Sequence, residues 1–323
     1  MRMYIVFVLT KLINSLDSMK KVVVTGANGF VGYWLIRELC KNGVKVTAII
    51  KDTNENISML SDFKGVNIVY CELAELDTLK EKIVDRDFDA FYHLAWISAG
   101  GAGRADYAIQ LQNVKYACDA VGIAKELGCK KILFAGTVTE KIAENILNLS
   151  GKAVNNIYGI CKHMTHCLVD VESQRQGIDY VWMQFSNLYG PYSINGNIVG
   201  YTIKELLQGN EAKFGPANQI YDLLYIEDLV YAAYLLGTKE TKSHTYYLGS
   251  GQLRILSDFL KEIGDVCGKP ELIKIGARPD DGTRYKEEWF DITPLKKDTG
   301  YRPKVSFEQG LKETIEWMKT TLN

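Results

Sequence analysis

The chain has 323 residues, which at about 150 residues per domain gives two domains, or one large α/β unit with an appendage. Hydrophobic residues make up 47% and charged residues 24%, which excludes a disordered chain and leaves apolar material for a large core. Lys plus Arg number 38 against 39 Asp plus Glu, a net charge of −1, so there is no global field for nucleic acid or an anionic membrane, while a local cationic pocket for phosphate stays open.

Residues 1–18 include an apolar run, Tyr4 to Leu9, that is too short for a bilayer, which takes about 20 residues. One Arg precedes it and no small-residue cleavage motif follows, so it makes a poor signal peptide. The expectation is an upstream extension, with Met19 as the natural start; the alternative is a short ordered arm. The seven cysteines are scattered, odd in number and without a C-x-x-C pair, which argues against a disulfide framework or zinc site and for a reducing, cytoplasmic setting. Most of these thiols are expected to be small core residues.

Lys21 to Thr25 is a β-branched run, read as a buried strand. The turn Gly26-Ala27-Asn28-Gly29-Phe30-Val31-Gly32 follows, then a helical pattern over Tyr33 to Lys41 and a second strand over Val44 to Ile50. The glycines have separate uses. Gly26 makes the tight turn, Gly29 lets backbone approach a pyrophosphate, and Gly32 lets the helix pack close to the sheet. The helix N-terminus then offers free N–H groups to the phosphates. An acidic residue at the end of the second strand would bind the ribose of NAD, and a basic one the 2′-phosphate of NADP. The strand ends Ile49-Ile50-Lys51-Asp52; Lys51 favours NADP, and Asp52 keeps NAD possible.

The alternation continues with a strand at Val66 to Tyr70, a helix at Leu76 to Val84, and a strand ending Tyr92-His93-Leu94-Ala95. A long helix over 104–127 and a strand from Lys131 to Ala135, closed by Gly136-Thr137, come next. Such alternation predicts a parallel, doubly wound sheet. His93 reads as a structural strand-end residue. Tyr158 and Lys162 stand at i, i+4 on a helix running to about Gln176, so they share a face. A phenol is a poor acid or base at pH 7, and a neighbouring ammonium, helped by the positive charge of a bound nicotinamide, is expected to lower its pKa. Thr137 is placed to hydrogen-bond the same substrate oxygen. His163 and His166 have no further ligands, so no metal site is expected.

At this point the chain resembles the extended short-chain dehydrogenase/reductases, the NAD-dependent epimerase/dehydratase family. The matching segments are Thr25 to Gly32, His93-Leu94-Ala95, Gly136-Thr137, Tyr158 with Lys162, Asn187-Leu188-Tyr189-Gly190-Pro191, Tyr225 to Leu229, Leu248 to Gly251, Arg278 to Asp281, Gly300 to Lys304 and Gly310 to Trp317. They cover nearly the whole of 20–320. The resemblance implies an α/β Rossmann-type doubly wound parallel sheet with a smaller C-terminal α/β substrate domain. The NAD(P)-binding domain is placed at 19–185 with return segments at about 221–250, and the substrate domain mainly at 186–323. It implies a nucleotide-diphosphate sugar as substrate and a homodimer built on the helices at 104–127 and 158–176.

The resemblance also implies residue roles. Tyr158 is the acid/base, Lys162 orients the nicotinamide ribose, Thr137 binds the reacting oxygen, and Asn113 supports the lysine through water. Gly26, Asn28, Gly29, Phe30, Val31, Gly32, Lys51, Glu72, Leu73, Leu94 and Ala95 belong to the cofactor. Trp96, Asn187, Tyr221 and Arg278 belong to the substrate, with Asn187 and Arg278 at its diphosphate.

Departures from the family pattern discriminate between reactions. The 4,6-dehydratases carry Asp and Glu directly after the catalytic Thr; here Val138 and Thr139 stand there, which disfavours dehydration. Glu140, one residue later, is expected to face differently. Gln184 and Tyr221 stand where Arg is common, removing positive charge near the expected sugar cleft, and Glu72 replaces the usual Asp near adenine. Ile198 to Gln208 reads as an amphipathic helix and Ser257 to Cys267 as a helix capped by Ser257. Phe214 to Leu224 is a candidate strand whose Phe214, Gln219 and Tyr221 either meet the base or pack in the core. The favoured reading is reduction of a 4-keto-6-deoxy nucleotide sugar at C4. The alternative is a 4-epimerase with retained NAD, and a catalytically silent Rossmann protein is a third class, opposed by the presence of Tyr158 and Lys162.

Overall fold

The structure, a computed structural model, describes residues 19–51, 58–144, 156–193 and 196–322; residues 1–18 and Asp52 lie outside that set. The first half runs β1 (Lys21–Thr25), α1 (Phe30–Lys41), β2 (Lys45–Ile50), β3 (Val66–Tyr70), β4 (Ala90–His93), α2 (Tyr107–Glu126), β5 (Lys131–Thr137), α3 (Glu140–Glu144), α4 (Ile157–Gln176) and β6 (Asp179–Phe185). The rest runs β7 (Asn187–Tyr189), α5 (Ile198–Leu207), β8 (Ala212–Lys213), β9 (Ile220–Tyr221), β10 (Leu223–Tyr225), α6 (Ile226–Thr238), β11 (Thr245–Leu248), β12 (Arg254–Ile255), α7 (Leu256–Val266), β13 (Ile273–Lys274) and α8 (Phe307–Leu322).

Seven strands pair in parallel in the order β11-β6-β5-β4-β1-β2-β3. Chain direction across the sheet reverses between β1 and β4, the switch point where open α/β sheets bind ligands. Both faces are covered, which is why β1 is a continuous apolar run rather than an alternating one. Val22 and Val24 face one core together with Leu35, Ile36 and Leu39 of α1 and Leu229 and Leu236 of α6. Val23 faces the other, with Ala120, Val121 and Ala124 of α2 and Val169 of α4. Beyond β6, pairs of short strands (β7 with β10, β8 with β13, β9 with β12) build a smaller C-terminal lobe.

Several expected boundaries move. The helix expected at Leu76 to Val84 is a 3₁₀ segment, Leu73–Thr78, followed by one turn, Leu79–Lys82; the turn ends at Lys82 because Ile83 is already extended. The helix read as capped by Ser257 begins at Leu256 behind Ile255, and the Ser257 N–H instead donates to the Ala217 carbonyl. Phe214 packs edge-on against Tyr201, 5.8 Å between centroids, and belongs to the core. Of the seven thiols, Cys71, Cys129 and Cys161 are buried, Cys40, Cys118 and Cys267 half-buried and Cys167 exposed, so fewer than half are true core residues. Among the described residues no helix is long and apolar enough to cross a membrane.

Candidate active site

The glycine turn has the shape its spacing predicts. Gly26 has φ +67°, and a Cβ there would stand 2.9 Å from the Ala95 amide nitrogen, so the β1 turn and the β4 loop touch backbone to backbone. Gly32 lies directly under the turn: a Cβ would run into the carbonyl oxygens of Gly26 and Ala27, the latter at 2.8 Å. Gly29 caps α1 with no side-chain hydrogen bond to the first turn, which leaves N–H groups for an anion. Thr25 binds the two loops together, its Oγ1 3.1 Å from His93 Nδ1 and accepting from the Ala95 N–H at 3.3 Å. Asn28, Phe30 and Val31 belong to this turn and the start of α1, and Leu94 and Ala95 to the loop that meets it. Lys51 follows the last residue of β2 directly, and Glu72 and Leu73 follow β3.

The candidate catalytic residues gather at the end of β5. Thr137 is its last residue; Tyr158 and Lys162 lie one turn apart on α4 and both are buried. Thr137 hydrogen-bonds the Tyr158 side chain, and its Oγ1 is 3.1 Å from that of Thr139. Lys162 Nζ donates to the Ala135 carbonyl at 2.5 Å and stands 3.5 Å from the Trp96 ring centroid. Trp96 meets Tyr158 edge-on at 6.0 Å and is held by its indole N–H, which donates to Gln110 at 2.8 Å. Asn113 holds the loop that follows β4. Its amide oxygen accepts from the Ile97 N–H at 2.7 Å, and its NH₂ donates to the carbonyls of Ile97 and Ile109. It clamps the loop carrying Trp96, and so reaches Lys162 through that ring.

Burial dominates the electrostatics of the chain's own residues. Burial pushes the Tyr158 phenol up to about 12, against the lowering effects of Arg104 and the Thr137 hydrogen bond; Lys162 is not what sets it. Burial also pushes the Lys162 ammonium down to about 7, opposed by Glu140 and aided by Arg104. Taking a charge out of water costs more than these neighbours return.

Glu140 does face away from the cleft. It is fully buried; Oε1 accepts from the Thr137 N–H at 2.6 Å, and Oε2 accepts from the Trp182 indole at 2.8 Å and Gln184 at 3.2 Å, with His166 Nδ1 at 3.5 Å. Gln184 is therefore part of this buried network, and its replacement of Arg does not bear on the charge of the cleft, a correction to the sequence reading. His166, stacked on Trp182, reaches Thr245 with its other nitrogen at 2.9 Å.

The substrate-side residues divide. Tyr221 donates to Asn187 Oδ1 at 2.9 Å, and Asn187 Nδ2 donates to the Asp222 carbonyl, so those two are brought together. Tyr285 packs edge-on to Tyr221 at 6.0 Å. Arg278 is exposed and donates to the Tyr201 hydroxyl at 3.0 Å, on the C-terminal lobe. One residue was missed altogether. Arg104, in a short 3₁₀ turn after the glycine-rich stretch Gly100-Gly101-Ala102-Gly103, places its guanidinium carbon 4.1 Å over the Tyr158 ring. The only sequence signal was a lone cation in a glycine-rich loop after a strand end, and chain distance gave no hint of its partner.

Residues 22–249 match the NAD dependent epimerase/dehydratase family. The chain is 26% identical over 322 residues to a UDP-N-acetyl-alpha-D-glucosaminuronate decarboxylase of Bacillus cytotoxicus, covering 94% of this chain and 99% of that one. In three dimensions it is similar to UDP-glucose 4-epimerase of Thermotoga maritima (TM-score 0.76, 22% identity, 94% and 100% of the two chains). It is likewise similar to UDP-glucuronic acid 4-epimerase of Bacillus cereus, solved with UDP-glucuronic acid and NAD (TM-score 0.75, 22% identity, 93% and 99%). With the glycine cradle, the Thr137-Tyr158-Lys162 cluster and a match over more than two-thirds of its length, the chain belongs to the NAD dependent epimerase/dehydratase family, enzymes of nucleotide sugars.

Proposed function

We propose that the protein is a UDP-sugar 4-epimerase that retains its NAD. The observation that carries this is the composition of the site: Thr137, Tyr158 and Lys162 meet at the end of β5, while Val138 and Thr139 bring no carboxylate and Glu140 is turned into the core. The groups present can move one proton to or from one oxygen. Elimination of water needs a further acid and base, which disfavours the 4,6-dehydratase reading. Two 4-epimerases share this fold and dTDP-glucose 4,6-dehydratases are about as similar in sequence, so the choice rests on the composition of the site.

The residues have these tasks. Thr137 Oγ1 and the Tyr158 hydroxyl bind the C4 oxygen, and Tyr158 takes and returns its proton. The Gly26–Gly32 turn with Leu94 and Ala95 holds the dinucleotide, and Lys162 reaches its nicotinamide ribose. NAD, when bound, supplies the hydride acceptor at C4. Asn187 and Tyr221 face the nucleotide sugar, with Arg278 at the diphosphate. A homodimer fits the apolar residues that α2 and α4 leave exposed, Tyr107 and Leu111 on the first and Leu168 and Val171 on the second.

One observation favours a second reading, reduction of a 4-keto-6-deoxy nucleotide sugar by NADPH: Lys51 stands directly after β2, where a cation would meet a 2′-phosphate. The two readings part on one experiment. The purified protein is dialysed and denatured, and the released nucleotide is identified by mass spectrometry. Near one equivalent of NAD⁺, followed by C4 inversion of UDP-hexoses detected by NMR, is the expected result. An empty protein that refills with NADPH and inverts no sugar overturns the epimerase reading in favour of the reductase.

A further inference from the structure

The geometry points to Arg104 as the residue that selects a sugar bearing a carboxylate at C6. This rests on the reading that Tyr158 works at C4 of a nucleotide sugar, and deepens it by naming the substrate class.

Arg104 is half-buried, with its guanidinium carbon 4.1 Å over the ring of Tyr158. Its positive charge acts on Tyr158, Lys162, Tyr221 and Tyr285. Among the described residues its side chain makes no hydrogen bond and no ion pair; only its main-chain N–H is engaged, with the Gly101 carbonyl. A guanidinium carries five N–H donors and cannot shed its proton. Here the guanidinium lies against the Tyr158 ring, and its charge is felt by Tyr221, Tyr285 and Lys162. Glu140 is committed to Thr137, Trp182 and Gln184, and Asp281 acts on Tyr221 and Tyr285 without pairing with Arg104. The arrangement is one short of an anion. Like charges on Arg104 and Lys162 oppose each other, so an anion between them would be favoured by both.

Position decides which anion. Tyr158 marks the C4 oxygen, and in a hexopyranose the C6 substituent branches from C5, the next ring atom. A group beside the Tyr158 ring therefore meets the substituent of C3 or, through C5, that of C6, and of the two positions only C6 becomes a carboxylate when the sugar is a uronate. The diphosphate lies at the far end of the sugar, beyond C1. A carboxylate at C6 is planar and matches the fork of a guanidinium with two parallel hydrogen bonds; a C6 hydroxyl would leave most of the donors unpaired. The substrate class is thus a nucleotide-activated hexuronate, and C4 inversion keeps its carboxylate.

The test uses the full chain saturated with NAD, with dissociation constants by calorimetry for UDP-glucuronate, UDP-glucose and UDP. The wild-type protein is expected to bind UDP-glucuronate about 30-fold more tightly than UDP-glucose, and Arg104→Gln to bring that ratio below about threefold. Arg104→Lys keeps the charge without the fork and is expected between them; it also controls for a variant that fails to fold. A wild-type ratio near one, or a ratio unchanged in Arg104→Gln, overturns the assignment. A loss in Arg104→Gln that is equal for all three probes, UDP included, also overturns it, because the anion held would then be the diphosphate. If none of the three binds the wild-type protein, the failure lies instead with the nucleotide-sugar reading, and the inference falls with it.

Discussion

Glu140 acts on Lys162 without touching it. The carboxylate oxygens are taken by Thr137, Trp182 and Gln184, and the ammonium by the Ala135 carbonyl and the Trp96 ring. Both side chains are buried at the end of β5, where a charge is felt more strongly than in water. Glu140 raises the Lys162 pKa against the larger lowering by burial, and the result is about 7. Lys162 is thus charged below about pH 7 and loses its proton above it, so any rate that needs the ammonium falls as pH rises through that value. Glu140→Gln removes the supporting charge. The expected outcome is an alkaline limb moved to lower pH, with the rate at pH 8 down about tenfold and less change at pH 6. A pH–rate profile on purified variants reads this. A uniform loss at all pH values would make Glu140 only a structural anchor for Thr137.

Tyr158→Phe is the direct test of the acid/base. The hydroxyl is the only group it removes, and the ring keeps its contacts with Trp96 and Arg104. The expected loss in kcat is about 10²–10⁴-fold, with NAD binding and thermal midpoint nearly unchanged. Turnover within a few-fold of wild type would move the proton transfer to another group.

These two residues show how much of the site was legible in sequence. Tyr158 and Lys162 share one helix, and a spacing of four is visible as a string. The glycine turn was legible for the same reason, since its whole geometry lies within seven residues. Glu140 was seen to face differently, but its partners Trp182 and Gln184 come from β6, more than forty residues away. Arg104 went unread because its partner Tyr158 lies on another element, and no local pattern joins a glycine-rich loop to a helix fifty residues on. The rise that burial gives the Tyr158 phenol was not legible, because depth of burial is a property of the packed molecule, whereas the charge of a neighbour can be read from a letter. Gly100 to Gly103 allow the loop its course; where it leads is decided by Asn113 and Gln110, which hold its backbone and Trp96.

Gly29 and Gly32 separate cofactor binding from folding. A Cβ on Gly32 collides with two carbonyl oxygens of the turn, and main-chain atoms held between β1 and α1 have nowhere to go. Gly32→Ala is expected to destabilise the protein by about 2–4 kcal/mol and to lower the thermal midpoint accordingly. A Cβ on Gly29 meets only the Gly26 carbonyl, at 3.2 Å, so Gly29→Ala is expected to fold with a midpoint close to wild type. It would still narrow the approach to the pyrophosphate, weakening NAD binding about tenfold or more. Thermal melts paired with NAD titration check both. Equal losses of stability in the two variants would mean that the turn serves the fold alone.

His93 is expected to contribute to the acid sensitivity of the fold. Its ring is buried, with Nδ1 on Thr25 and Nε2 without a hydrogen-bond partner among the described residues. Burial, helped by the charge of Lys162, pushes it down to about 3 from an ordinary 6.5. The unfolded chain therefore binds a proton below pH 6.5 that the native protein refuses until about pH 3. Stability contributed by the neutral ring is complete above pH 6.5 and falls as pH drops through that window, by an amount on the order of a few kcal/mol. Urea unfolding at pH 7 and pH 4.5 should show the wild type losing stability. His93→Gln, which keeps a hydrogen-bonding group toward Thr25 but cannot titrate, should lose less over the same interval even where it starts lower. Parallel slopes for the two proteins would assign the acid sensitivity to other groups and remove His93 from the account.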